Sequence, residues 1–223
     1  MITVLIYLTY IIAIGELFLA GYFWKTNSNN PIRRTMAFLT LTTGLWVLST
    51  ALTVYQNFNQ FTYFTSTILF VFGILSLTAL FHFAIVYPVP IFNFNRIHKF
   101  LLYSPAFIFS LLILFTHTVI KGSILSHDYY GSTIPGPVFP VYNCYLLLLY
   151  LLTLILLYIK IRRNLTQRSN INIVFWSLLI SGIPTVIFDL IFPSFFHLNP
   201  NPLIGVLLNF VWMGSILYIL LKK

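Results

Sequence analysis

Residues 61–87 read FTYFTSTILFVFGILSLTALFHFAIVY, a run without a single aspartate, glutamate, lysine or arginine. A helix needs about 20 predominantly apolar residues to cross the hydrocarbon core of a bilayer, and this run is longer than that. It also lacks the alternation of apolar and polar residues that marks a strand of a membrane β-barrel. The run therefore predicts a transmembrane helix.

Six further apolar runs flank this one, and the composition of the whole chain agrees with them. Of its 223 residues, 59% are hydrophobic and only 7% are charged, whereas a soluble domain carries roughly 25% charged residues. So few charges cannot cover a surface that faces water. We predict one all-α membrane domain over residues 1–223, a seven-transmembrane-helix bundle. The other six helices are predicted at residues 2–24, 35–55, 99–118, 139–161, 171–192 and 203–221.

The basic residues predict the orientation of this bundle. All of them except Lys121 fall between or after the runs in such a way that they share one side of the membrane. By the positive-inside rule that side is the cytoplasm, so the N-terminus is predicted outside and the C-terminus inside. The net charge of +9 then reflects topology, and we expect no nucleic-acid partner. The residues on the predicted inner side are Lys25, Arg33, Arg34, Arg96, Lys99, Lys160, Arg162, Arg163, Arg168, Lys222 and Lys223.

The longest predicted loop lies outside, over residues 121–138. It contains Gly131, Pro135, Gly136 and Pro137, residue types that punctuate turns. The loop could form a small lid or hairpin, or it could be a plain tether. Cys144 follows in an apolar segment and is expected to be a small core residue.

Two ionisable residues fall deep inside predicted helices. Glu16 lies near the middle of helix one, and His82 lies in the inner half of helix three. Polar groups within a membrane usually face the bundle interior and find a partner there. At about 1.5 Å per residue their depths differ by only a few ångströms. They could pair as a ligand-linked or proton-sensitive switch, or each could serve packing alone.

A second group of polar residues suggests an outward-facing pocket. Helix six carries Pro184, which permits a kink, and Asp189 near its predicted outer end. Helix seven carries Asn209 beside Trp212. With Trp176 as a further apolar wall, these residues offer the mixture of groups that ligand pockets usually show. The alternative is tight helix packing, with Asn209 hydrogen-bonded to backbone.

Motifs that carry catalysis or hold metals are missing from the sequence. It contains no glycine-rich phosphate loop, nucleophile elbow or HExxH segment. The outer residues His117, His127, Asp128 and His197 lack the spacing of metal ligands. We therefore expect no enzymatic activity, no cofactor and no metal site.

Three stretches together resemble the N-terminal seven-helix region of bacterial and archaeal membrane histidine kinases. The first is RRTMAFLTLTTGLWVLSTAL, residues 33–52, with a central Gly44-Leu45-Trp46. The second is FGILSLTALFHFAIVYP, residues 72–88, which ends in Phe-x-x-x-Tyr-Pro. The third runs from Val141 through KIRRNLTQRSNINIVFWSLLISGIP, residues 160–184, to LIGVLLNFVWMGSILYILLKK, residues 203–223.

The resemblance implies a signal-input module that passes helix motion to output domains. The sequence carries neither a phospho-acceptor histidine segment nor a nucleotide-binding motif. A cytoplasmic kinase acting in trans is therefore an expected partner, besides membrane lipid. Kinase-linked relatives are expected as dimers, so a homodimer is a further expectation.

The leading interpretation is a non-enzymatic sensory module of a two-component system in a prokaryotic cytoplasmic membrane. Two alternatives stay open, a small transporter or channel subunit and a structural subunit of a membrane complex. Only Glu16 and Asp189 are acidic within the predicted helices, and no inverted repeat is evident, which argues against ion-coupled transport.

Overall fold

The computed structural model of the chain describes residues 2–26, 30–55, 59–90, 94–125, 131–163, 167–187 and 203–221. Within these residues the chain forms seven α-helices and one antiparallel pair of strands. The elements are α1 (Ile2–Thr26), α2 (Pro31–Tyr55), α3 (Asn59–Val86), α4 (Arg96–Phe115), β1 (Ile120–Leu125), β2 (Gly131–Pro135), α5 (Phe139–Arg163), α6 (Arg168–Thr185) and α7 (Leu203–Leu221).

The protein is an all-α membrane protein, apart from its one small hairpin. In the part of the chain that is described, five helices, α1 to α5, are long and apolar enough to cross a bilayer. Large apolar side chains on their outer faces point away from the bundle. Phe18, Phe107 and Phe115 expose 74%, 63% and 79% of their surface. Such faces suit acyl chains rather than water.

Six of the helices pack as a ring. Close neighbours follow the order α1, α2, α3, α5, α6 and α7, and α7 returns to contact α1. Helix α4 packs outside this ring against α3. Helix α3 is therefore the central element, since it contacts α2, α4, α5 and the hairpin.

Two large apolar clusters show that successive helices alternate in direction. The first joins the C-terminal parts of α1, α3, α5 and α7 to the N-terminal parts of α2 and α6, with Phe23, Leu39, Phe83, Ile171 and Ile219 among its members. The second lies at the opposite end of the bundle and joins α3, α4, α5 and the hairpin. Helices that alternate in this way have short connections and antiparallel neighbours.

Two helices begin earlier than predicted because a side chain caps each of them. Helix α2 begins at Pro31 rather than residue 35, because the Asn30 side chain accepts a hydrogen bond from the Ile32 N–H at 2.9 Å. Proline at the first helical position suits such a start. Helix α4 begins at Arg96 rather than residue 99, because Asn95 and His98 form a reciprocal capping box.

The ends of two helices also differ from the predicted ones. Helix α4 ends at Phe115 instead of residue 118, since Thr116 is extended and caps the helix through its own N–H. Helix α6 begins at Arg168, three residues before the predicted start, and runs to Thr185, followed by a single π-type turn. The predicted end at residue 192 lies outside the described residues.

The long loop after α4 is a β-hairpin, which confirms one of its two predicted forms. Strand β1 pairs antiparallel with β2, and Ile120 and Val119 are buried against α3. Gly136 closes the hairpin, where its N–H donates to the Val119 carbonyl at 2.8 Å. A Cβ atom there would lie 2.8 Å from the His117 carbonyl oxygen, so a larger residue would displace backbone.

Cys144 is exposed on α5, so its predicted place in the core is wrong. The buried stripe of α5 passes through Tyr142, Asn143 and Leu146 and leaves Cys144 on the face that points away from the bundle. An apolar segment that lies in lipid is apolar on both faces, and its composition alone does not identify the buried one.

Candidate functional site

Glu16 is fully buried at a close approach of α1 and α2. It lies in the second half of α1, and its exposed fraction is 0%. A Cβ atom added to Gly44 of α2 would lie 3.1 Å from the Glu16 Cβ and 3.2 Å from the Leu17 Cδ2. Glycine at this position therefore lets the two helices approach closely, as small residues do in membrane bundles. The glycine that opens the Gly44-Leu45-Trp46 motif thus has a steric role beside Glu16.

The described residues around Glu16 offer its carboxyl group no hydrogen-bond partner. In the described part of the chain neither carboxyl oxygen of Glu16 makes a hydrogen bond. Ile12 and Ala13, one turn earlier on the same face of α1, form an apolar cluster with Val47 of α2 and Val206 of α7. A carboxyl group buried without a partner loses its hydration uncompensated, which costs about 1–3 kcal/mol even for a neutral group.

Of the two alternatives for Glu16 and His82, the structure contradicts the pairing. The Nδ1 atom of His82 lies 3.0 Å from the Tyr103 hydroxyl of α4. Its ring also packs against Phe94 and Tyr103, with centroid separations of 4.9 and 5.7 Å. His82 therefore belongs to the contact between α3 and α4, outside the helix ring, whereas Glu16 lies between α1 and α2. The two side chains therefore meet different helices, Glu16 at Gly44 of α2 and His82 at Tyr103 of α4.

Lys160 is a buried cation that the sequence did not reveal as such. It was predicted at the inner end of the fifth helix among the charges that set the orientation, but only 4% of its surface is exposed. Its ammonium group donates to three carbonyl oxygens at the end of α3 and just beyond it. These belong to Ile85 at 2.8 Å, Tyr87 at 2.6 Å and Val89 at 2.9 Å. Lys160 therefore caps the C-terminus of α3, where a helix presents unsatisfied carbonyls and partial negative charge.

This cap connects two of the stretches that the sequence singled out. Phe83 and Tyr87 stack at 4.8 Å within the Phe-x-x-x-Tyr-Pro segment, and Pro88 then stops α3. Lys160 opens the KIRR segment and reaches back to carbonyls on both sides of Pro88. The periodicity of α5 could have signalled its burial, because Thr153 and Leu157 lie on the same buried stripe.

The predicted outward pocket lies largely outside the described part of the chain. Asp189 and the side chain of Trp212 are not described, and Asn209 is half-buried within α7. The pocket therefore stays a prediction. His127, Asp128 and His197 are likewise outside the described residues, while His117 lies 2.9 Å from the Tyr63 hydroxyl. Among the described residues no three potential metal ligands come together.

A groove between α6 and α7 does occur, but at the N-terminal half of α6. It has a volume of about 770 Å³, and Trp176 lines it rather than an outer pocket. The two helices are joined beneath it by a 2.8 Å hydrogen bond from the Ser215 hydroxyl to the Ser177 hydroxyl. The groove is lined by Arg168, Ser169, Asn172, Ile173, Trp176, Ser177, Ile180, Val211 and Ser215.

Helix α6 is fixed to α5 by a close glycine contact. The Tyr150 hydroxyl donates to the Leu178 carbonyl at 2.9 Å. Its ring lies directly against Gly182, where an added Cβ would come within 2.6 Å of the Tyr150 Cζ. Gly182 and Tyr150 therefore hold α6 in one register on α5, two residues before Pro184 enters the helix.

Two comparisons with known proteins found no match to the chain. No family model matches the chain, and no curated protein is significantly similar to it.

Proposed function

We propose that the chain is a non-enzymatic sensory module that passes a signal through its helices to a cytoplasmic partner. The observation that carries the proposal is Glu16, a fully buried carboxyl group without a hydrogen-bond partner in the described part of the chain. Replacing such a group by an apolar one is neutral or stabilising for a fold. A buried carboxyl group that does not stabilise the fold is best explained by a role in function. Ionisable residues within membrane helices commonly have such a role.

The position of Glu16 suggests how it would act. Ionisation or ligand binding at this carboxyl would require polar groups or water, whereas both of its oxygens are buried and its Cβ packs closely at Gly44. Helix α1 would then have to move away from α2. Because Ala13 shares an apolar cluster with Val206, that motion would reach α7. The last helix would carry it to the inner face of the membrane.

The proposal includes seven membrane crossings, with the N-terminus outside and the C-terminus in the cytoplasm of a prokaryotic cell. Helices α6 and α7 would supply the two crossings beyond α1 to α5. The basic residues support this orientation. Except for Lys121 on the hairpin, those in the described part of the chain belong to the end of the bundle that holds the Lys160 cap. That end would face the cytoplasm.

Cysteine labelling tests this orientation. In a Cys144→Ser background, Lys121→Cys and Ser169→Cys each place one thiol at an exposed position on opposite ends of the bundle. An impermeant thiol reagent applied to intact cells should label Lys121→Cys and leave Ser169→Cys unlabelled until the cells are opened. Labelling of Ser169→Cys alone on intact cells would reverse the orientation.

A transporter or channel is the second candidate, because a lone intramembrane carboxyl can also carry a cation or proton. The hydroxyl groups of α2 argue against an ion path along that helix. Thr40, Thr43, Ser49 and Thr53 each donate to a carbonyl of their own helix one turn earlier, at 2.7 to 2.9 Å. Such hydroxyls have their hydrogen satisfied locally and need no water-filled lumen.

Two measurements on the same variant separate these functions. Cells that lack the chain are complemented with the wild type, Glu16→Gln or the control Thr9→Val, and phosphorylated response regulators are resolved on phosphate-affinity gels. A sensory module predicts a changed phosphorylation pattern with Glu16→Gln and a normal one with the control. An unchanged pattern in all strains, together with Glu16-dependent proton or cation flux in liposomes, would instead establish transport.

A further inference from the structure

The groove between α6 and α7 changes from polar to apolar along its length. Arg168, Ser169 and Asn172 lie at the start of α6, and Trp176 and Ile180 continue the same face one and two turns further along. Trp176 and Ile180 expose 58% and 56% of their surface. An amphipathic occupant with a compact polar head and an apolar tail would match this order of side chains.

The length of the groove matches one leaflet of a bilayer. From Arg168 to Ile180 the helix rises about 18 Å at 1.5 Å per residue. Half of a hydrocarbon core is about 15 Å thick. With Arg168 at the level of the headgroups, Ile180 therefore comes close to the membrane midplane. A single phospholipid has this extent, whereas a small soluble ligand would leave most of the groove uncovered.

The charge at the polar end selects the kind of headgroup. Arg168 is exposed, and none of the described residues that line the groove is acidic. Arginine donates paired hydrogen bonds in a planar arrangement that suits phosphate oxygens. The amide of Asn172 and the hydroxyl of Ser169 add further donors. The first turn of α6 adds partial positive charge at the same end, since Gln167 does not cap it with its side chain.

We propose that this groove is a specific site for an anionic phospholipid in the leaflet at the α6 N-terminus. Its phosphate lies against Arg168, Ser169 and Asn172, and one acyl chain covers Trp176, Ile180 and Val211. The lipid spans both helices above the Ser177–Ser215 hydrogen bond, so it strengthens the pairing of α6 with α7. This site rests on the proposed membrane crossings of α6 and α7, but not on Glu16 or on the sensory function.

Quenching of Trp176 by brominated lipid tests the site. The full chain with Trp24, Trp46 and Trp212 changed to Phe keeps Trp176 as its one tryptophan, and it is reconstituted in phosphatidylcholine bilayers. Brominated phosphatidylglycerol or brominated phosphatidylcholine is then titrated in. We expect half-maximal quenching at an about fivefold lower mole fraction of phosphatidylglycerol, the ratio that one basic residue near a membrane surface provides.

Two arginine variants decide whether the preference belongs to the groove. Arg168→Gln should bring the two quenching curves together, whereas Arg163→Gln, with the same loss of charge at an exposed position outside the groove, should keep the fivefold ratio. Equal quenching by both lipids in the starting protein would overturn the proposal. So would a preference that survives Arg168→Gln, or one that Arg163→Gln reduces equally.

A second measurement uses the unmodified tryptophans. Added phosphatidylglycerol should raise the thermal midpoint of the detergent-solubilised wild type more than phosphatidylcholine does, and Arg168→Gln should remove this difference. A midpoint that responds to both lipids equally in the wild type would also overturn the site. This test applies even if the single-tryptophan variant does not fold.

Discussion

Replacing Lys160 with methionine removes an ammonium group and keeps an unbranched side chain of similar length. The three carbonyls that Lys160 now satisfies, those of Ile85, Tyr87 and Val89, lose their donor. Residues Ile85 and Tyr87 are 4% and 9% exposed, so their carbonyls would stay buried, whereas Val89 is 49% exposed and its carbonyl can be hydrated. The variant therefore leaves two buried acceptors unsatisfied.

The expected loss of stability follows from those two acceptors. A buried polar group without a partner costs about 1–3 kcal/mol. Burying the ammonium group also carries a desolvation penalty, which the methionine no longer has and which offsets part of the loss. Two unsatisfied carbonyls at the upper half of that range would together cost about 4–6 kcal/mol. The relieved desolvation penalty offsets part of this cost, so we expect Lys160→Met to lower the free energy of unfolding by about 2–4 kcal/mol.

Arg162→Met provides the matched control. Arg162 is only two residues away on the same helix, but it is exposed and contacts the Tyr158 hydroxyl at the surface. Exposed substitutions of this kind change stability by about 0.5 kcal/mol or less. Unfolding of both variants is followed by circular dichroism in mixed micelles with increasing SDS. If Lys160→Met falls within that same 0.5 kcal/mol of the wild type, the reasoning about the α3 cap is refuted.

Three further predictions concern packing and the candidate site. Gly182→Ala should lower the thermal midpoint, because the new methyl group meets the Tyr150 ring, and adding Tyr150→Ala should recover part of the loss; a double variant less stable than both single ones would contradict the steric account. Glu16→Leu should leave the free energy of unfolding unchanged or raise it by about 1–3 kcal/mol, since it removes an unpartnered buried carboxyl; marked destabilisation in the same SDS titration would mean that Glu16 has a structural partner. His82→Leu and Tyr103→Phe should couple by about 1 kcal/mol in a double-mutant cycle, whereas His82→Leu and Glu16→Leu should add; the reverse pattern would restore the pairing of Glu16 with His82.

Helix positions were the part of the fold that could be predicted from the sequence. The apolar runs located the seven described helices to within a few residues at each described end, because a membrane helix must be apolar over a length fixed by the bilayer. The predicted end of α6 lies outside the described residues. The helix ends were less accurate, since they depend on single side chains. Asn30 and Asn95 begin α2 and α4 before the apolar runs start.

The candidate site was predictable only as far as its residue types. An acidic residue within a membrane helix is rare enough to mark Glu16 from composition alone. Its neighbours could not be read in the same way. The helical spacing of α1 and α3 gives depth along the membrane, but the side chains that Glu16 and His82 meet depend on how each helix is rotated. That rotation brought His82 to Tyr103 and left Glu16 beside Gly44.

The sequence by itself determined that the chain belongs in a membrane, since hydropathy and run length respond to the solvent and need no knowledge of neighbours. Only the tertiary structure decided which polar groups are satisfied and which are not. Lys160 looked like one of the charges that set the orientation and proved to be a buried cap, while Glu16 proved to have no hydrogen bond in the described chain. A hydrogen bond between elements can join residues far apart in the chain, as the one from Lys160 to Tyr87 does over 73 positions. Its geometry depends on the packing of the whole bundle, because a bond is made or lost over less than 1 Å.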